Sequence, residues 1–144
     1  MRLPVSLTLS LALPAAVLLS GCMSEGSGPS LPEDFVPGGV YGLSRTECAA
    51  QAGTWTTDGN GLAFCSLGAA DAVFACDGGG FVSLMRRAGD KAVIITPSGK
   101  LHSVVQRPAA SGVLLEGADV ALHEKARQAI LTEGGQDTAC ELVR

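Results

Sequence analysis

The chemistry open to this chain begins with its five cysteines, Cys22, Cys48, Cys65, Cys76 and Cys140. A thiol can bind metal, attack a substrate, carry an acyl group or close a disulfide, and its neighbours and spacing separate these uses. These cysteines lack the paired short spacing of zinc knuckles, so no metal site is expected. His102, His123 and several serines and aspartates could serve acid–base work, but the chain has neither a G-x-S-x-G elbow nor an H-E-x-x-H helix. Both histidines fall in runs that read as strands, at polar positions expected to face solvent. Gly78-Gly79-Gly80 follows Asp77 without the GxxxxGK[ST] or GxGxxG pattern of a phosphate loop, and reads as a turn. No cofactor is expected, and no enzymatic activity.

Cys22 stands apart from the other four. Upstream of it, Arg2 is followed by an apolar run to Leu19, which is the anatomy of a secretory signal. Pro4, Pro14 and several hydroxyl residues make that run a poor permanent membrane helix. The stretch Leu19-Ser20-Gly21-Cys22 resembles the lipobox of bacterial lipoproteins, in which the signal is cut before the cysteine and the sulfur receives a diacylglyceryl group. The resemblance implies a signal peptide over 1–21 and a lipidation site at Cys22. Several long acyl chains anchor firmly, since each buried CH₂ contributes roughly 0.8 kcal/mol. Met23 stands where an aspartate would mark retention in the inner membrane, which implies the outer membrane, facing the periplasm.

An acylated Cys22 leaves four thiols in an oxidising compartment, which suggests two disulfides with the pairing open. Cleavage removes Arg2, so nine basic residues face fourteen acidic ones and the net charge is −5. Such a surface offers nothing to nucleic acid and would suit a basic protein partner. The remaining length supports one small domain with additions, in which disulfides supplement a modest core.

The elements around these residues change character along the chain. Residues 22–40 are rich in Gly, Pro and Ser and read as a lipidated flexible tether. Residues 41–70 form a small Cys-loop unit: a helical turn over 46–51, then "GTWTT" and "LAFCS" as strands of a hairpin around Asp58-Gly59-Asn60-Gly61. Cys48 and Cys65 flank this unit and are paired with each other. Its Gly-x-Trp centre resembles small cysteine loops of other bacterial lipoproteins, with Trp55 either packed locally or exposed for binding. From Ala70, "DAVFACD", "FVSLMRR", "KAVIITP" and "KLHSVVQ" are short apolar runs at spacings near ten residues, which argues an antiparallel sandwich or barrel. "ADVALHEKARQAILTEGG" is ambiguous. Leu122, Ala126, Ala129 and Ile130 recur at helical spacing, yet "ADVALHEK" also alternates as a strand does.

The stretch "SGVLLEGADVALHEKARQA" is similar to the signature of the membrane-bound inhibitors of c-type lysozyme: SGxxY, an aromatic, KG, then Ala. Ser111 and Gly112 match the first pair, Lys125 the lysine and Ala129 the final alanine, while Leu115, Leu122 and Ala126 replace the tyrosine, the aromatic and the glycine. "FACDGG" opens and "TACELV" closes the region as in that family, so the resemblance covers residues 72 to 143. It implies an all-β fold for 71–144, a small antiparallel eight-stranded barrel clasped by a disulfide between Cys76 and Cys140. It also implies strands over 118–124 and 127–132 with a turn near Lys125, although alanine tolerates the positive φ of a turn glycine poorly.

The implied partner is a c-type lysozyme and the implied role is inhibition. Lysozyme cleaves glycosidic bonds between two facing carboxyl groups. A lysine ammonium set between them would form charge-assisted hydrogen bonds, and a serine hydroxyl beside it could donate and accept. Lys125 and Ser111 hold the family positions for these roles; otherwise Lys125 is a solvated charge beside Glu124 and Ser111 a turn hydroxyl. The alternative is a structural or envelope-binding lipoprotein that keeps the barrel but inhibits nothing. The leucines at 115 and 122 remove aromatic contact area, unless those positions belong to the core.

Overall fold

The computed structural model describes residues 28–144. The signal segment 1–21, Cys22 and the first residues of the tether lie outside the described residues. Strand β1 (Gly39–Val40), helix α1 (Arg45–Ala50), β2 (Thr54–Thr57) and β3 (Ala63–Ser66) come first. Eight strands follow: β4 (Ala72–Cys76), β5 (Phe81–Arg86), β6 (Lys91–Ile95), β7 (Leu101–Arg107), β8 (Val113–Glu116), β9 (Val120–Lys125), β10 (Gln128–Glu133) and β11 (Gln136–Leu142). Each of the eight pairs antiparallel with the next, and β11 pairs with β4 to close an eight-stranded barrel. The expected fold class is the observed one.

Alternation along the strands fills the barrel. Phe74, Leu84, Ile94, Leu115 and Leu122 point inward and are essentially inaccessible, joined by Val82, Val104 and Leu131. Cys76 and Cys140 face each other directly across the β4–β11 seam and form a disulfide. The ambiguous segment is a hairpin, β9–β10, with Leu122 paired to Leu131. A helix there would expose half of this apolar set, whereas the strand register sends Val120, Leu122, Ala129 and Leu131 all into the core. Tertiary burial overrides the local helical spacing.

β5 and β6 do not alternate in burial, because both of their faces are covered. Val73, Met85, Val93 and Ile95 point outward from the barrel, yet are buried in a second cluster with Val40, Leu67, Ala70 and the Cys48–Cys65 disulfide. The Cys-loop unit therefore lies on the barrel wall and shares a core with it. Trp55 is half-buried against this cluster, with the Arg45 guanidinium 5.8 Å from its ring centre. Gly53 lies so close to the two sulfurs that a Cβ there would collide with Cys65 Sγ.

Helix α1 starts at a reciprocal cap. The Ser44 hydroxyl accepts from the Glu47 N–H at 3.2 Å, and the Ser44 N–H donates to the Glu47 carboxylate at 2.7 Å. It ends with Ala52 at φ 55° and the Gly53 N–H donating to the Cys48 carbonyl, so that the chain turns sharply into β2.

Residues 31–40, expected to belong to a flexible tether, pack onto the folded unit. Leu31 and Phe35 pack onto the second cluster, Phe35 meets Phe81 at 4.6 Å between ring centres, and Gly39–Val40 pairs with β3. Averaged composition hid four apolar residues, Leu31, Phe35, Val36 and Val40, interspersed among Gly and Pro. Both disulfides and both hydrophobic clusters lie within the described residues 28–144.

Candidate functional site

Three hairpin loops, 87–90, 108–112 and 126–127, gather at one end of the barrel, and two of them carry the expected site residues. Lys125 ends β9 and Ser111 lies in the β7–β8 loop; both are exposed. Gly112 brings them together. At φ 71° it presses against the Glu124 carbonyl, where a Cβ would collide, and that imagined Cβ would stand 3.3 Å from the Cβ of Lys125. The Ser111 carbonyl accepts from His123 Nε2 at 2.8 Å. A carbonyl can only accept, so Nε2 carries the proton in this bond. His123 thus ties the serine loop to the lysine hairpin.

The turn after Lys125 has two loop residues, since Lys125 pairs with Gln128. Ala126 adopts φ 54°, the left-handed conformation that normally calls for glycine. Its cost, roughly 1–2 kcal/mol for a residue with a Cβ, is held in place by the strands around it. Arg127 fastens the turn to the end of β11: its Nη2 donates to the Leu142 carbonyl at 2.8 Å, and the Leu142 N–H donates back to the Arg127 carbonyl at 2.7 Å.

Glu124, the residue before the lysine, does not neutralise it. Strand alternation turns Glu124 into the barrel mouth in phase with Leu122, where Arg86 Nη2 donates to both carboxylate oxygens at 3.1 Å. Burial pushes the Glu124 carboxyl above its ordinary range, and the Arg86 charge only partly offsets that. Asp71 in turn accepts from the Arg86 backbone N–H. The pairing joins residues 38 apart in sequence and was not foreseen. A signal existed: Arg86 is in phase with Val82 and Leu84, and Glu124 with Val120 and Leu122.

Leu115 and Leu122, at the two aromatic positions of the inhibitor signature, are 1% and 0% exposed. They fill the barrel and do not line a contact surface. Ala129, at the closing alanine, is buried opposite Cys140.

The opposite end of the barrel corrects the expectation for His102. This residue is not solvent-facing: it shares the inward phase of Val104, and its Nε2 is buried 3.4 Å from Glu133 Oε1, too poorly directed for a hydrogen bond. Thr96 and Ser98 each approach the same Glu133 oxygen at 3.0 Å. Desolvation raises the Glu133 carboxyl, but bonds from Thr96 and Ser98, together with His102, outweigh it and leave the group below its ordinary range. Both hydroxyls are directed at the carboxylate, and His102 Nε2 has no hydrogen-bond partner among the described residues. Among the described residues, no group of three or more His, Cys, Asp or Glu side chains converges as a metal site would require.

No family model, curated protein or solved structure matches the chain.

Proposed function

We propose that this chain is a lipid-anchored protein of the bacterial envelope, held through Cys22, that binds a c-type lysozyme and inhibits it with Lys125 and Ser111. The observation that carries this reading is the disposition of charge at the Lys125 turn. Glu124 is engaged by Arg86 and turned inward, so Lys125 is exposed beside Ser111 with no carboxylate partner of its own among the described residues. An ammonium already neutralised by its neighbour would be a poor ligand for another carboxylate.

The chemistry follows from the target. The cleft of a lysozyme presents a carboxylic acid and a carboxylate across a gap. Lys125 would enter as a compact cation and Ser111 would bridge to the same groups, in a setting where water is excluded and charge-assisted hydrogen bonds are strong. Leu115 and Leu122 do not weaken the reading, because buried core positions cannot be contact residues.

The test is titration of a c-type lysozyme with the purified mature protein. Wild type should inhibit, and Lys125→Ala should lose roughly 2–5 kcal/mol of binding with the barrel intact. Ser111→Ala should lose on the order of 1–3 kcal/mol. Lys125→Arg should also bind less tightly, because a planar fork replaces a compact ammonium. Inhibition that Lys125→Ala leaves unchanged would refute the mechanism.

A further inference from the structure

The acidic chain carries its cations on one end of the barrel. Arg86, Arg87, Lys91, Arg107, Lys125 and Arg127 flank the three hairpin loops at the Lys125 end, and all six are exposed. Arg144, whose backbone bonds to Val73, adds a seventh beside them. Among the described residues, only Arg45 and Lys100 lie elsewhere. The other end carries Asp77 and Asp119 in its loops and Asp137 at the start of β11, with Glu133 just inside. At the cationic end Glu124 is occupied by Arg86 and Asp71 accepts from the Arg86 backbone, while Asp90 and Glu141 are exposed carboxylates. Arg87, Lys91, Lys125, Arg127 and Arg144 are outside any ion pair among the described residues, so cations outnumber carboxylates there. The separation is a property of the fold, since these cations are scattered between positions 86 and 144 in sequence.

The loops of this rim, Ala88-Gly89-Asp90, Pro108-Ala109-Ala110 and Ala126, are built of small residues with one carboxylate and carry no aromatic side chain. Such a face lacks the bulky anchors that fill a partner's pocket and suits a surface of diffuse negative charge. Pro29 lines a shallow depression along the β10–β11–β4 wall, which runs from Gln128 and Glu141 near the rim to Asp77 at the other end. Six residues lie between it and Cys22, a reach of at most about 25 Å even when fully extended. An acylated Cys22 would thus keep the barrel wall, and the rim with it, close to the bilayer.

We propose that this cationic rim docks on an anionic phospholipid surface, so that lipid headgroups and a protein carboxylate partner compete for Lys125. The setting rests on the lipid-anchor reading; the docking itself does not depend on lysozyme inhibition. Residues 23–144, which retain every described element and lack the acyl site, are mixed with vesicles of phosphatidylglycerol and phosphatidylethanolamine, or of phosphatidylcholine alone. Wild type should sediment with the anionic vesicles only, and about tenfold less as salt rises from about 50 to about 300 mM. Arg87→Glu combined with Lys91→Glu should lower partition at least about tenfold, while Lys100→Glu at the opposite end should change it little. Absence of binding, equal binding to neutral vesicles, or an equal loss with Lys100→Glu overturns the proposal. If the Arg87/Lys91 variant instead keeps vesicle binding and loses lysozyme inhibition, the rim belongs to the protein interface and membrane docking is refuted. Vesicle binding by a protein that inhibits no lysozyme would sustain the docking and sink only the inhibitor reading.

Discussion

Removing Cys76–Cys140 should cost more than removing Cys48–Cys65, by about 1 kcal/mol. The two bridges span sequence separations of 64 and 17 residues. Constraining an unfolded chain removes entropy that grows as the logarithm of the closed loop, which gives about 4 kcal/mol for the longer bridge and about 3 kcal/mol for the shorter. Burial does not reverse the order. All four sulfurs lie in hydrophobic clusters, so Cys76→Ala/Cys140→Ala and Cys48→Ala/Cys65→Ala leave comparable holes. The seam itself favours the longer bridge as well, because β11 and β4 are paired over only three residues, from Cys140 to Leu142. Urea unfolding followed by Trp55 fluorescence and by far-ultraviolet dichroism would measure both losses. Trp55 sits in the Cys-loop unit while dichroism reports mainly the barrel, so their transitions should coincide if the second cluster joins the two. A larger loss for Cys48→Ala/Cys65→Ala would refute the loop-entropy reasoning. Separated transitions in wild type would refute the shared core.

Three further outcomes follow from backbone and charge. Ala126→Gly should raise stability by roughly 0.5–1 kcal/mol, since glycine accepts φ 54° at the small entropic cost of its freedom in the unfolded chain; no rise in the urea midpoint would mean the turn is unstrained. Gly112→Ala should drive the Ser111 loop off the Glu124 carbonyl, weakening the proposed lysozyme inhibition more than Ser111→Ala does and lowering the urea midpoint, and inhibition at the wild-type level would show that the loop's position is unimportant. Glu133→Gln should flatten the acid limb of the stability curve. The folded-state pKa of Glu133 lies below 4.5, so its contribution is present above that value and lost as pH falls through the lowered one. A wild-type and variant melting temperature that decline in parallel below about pH 4.5 would contradict this.

The strands from Ala72 to Arg107 are legible locally because each is a short β-rich run bounded by Gly, Pro or Asp, and turn chemistry depends on a few adjacent residues. The hairpin within 41–70 is legible for the same reason. The Cys48–Cys65 pair could be read from the unit it flanks, whereas Cys76–Cys140 rested on a family resemblance, because a seam between the first and last strands leaves no local trace. Helical spacing and strand alternation compete over 118–135, and only burial of Leu122 and Leu131 in a common core decides between them.

Lys125 and Ser111 could be named from the sequence, but their proximity comes from Gly112 packing on Glu124, a contact between separate hairpins. Three other features depend on the same kind of long-range register. Arg86 takes Glu124 away from Lys125, His102 turns inward toward Glu133, and the cations collect at one barrel end. β5 and β6 did carry a trace of their tertiary setting, as unbroken apolar runs where a one-faced strand would alternate. What covers their outer face could not be read from those runs. A residue's phase along a strand is local chemistry, but the identity of its neighbour depends on which strands pair and in what register, and that is settled only when the whole barrel closes.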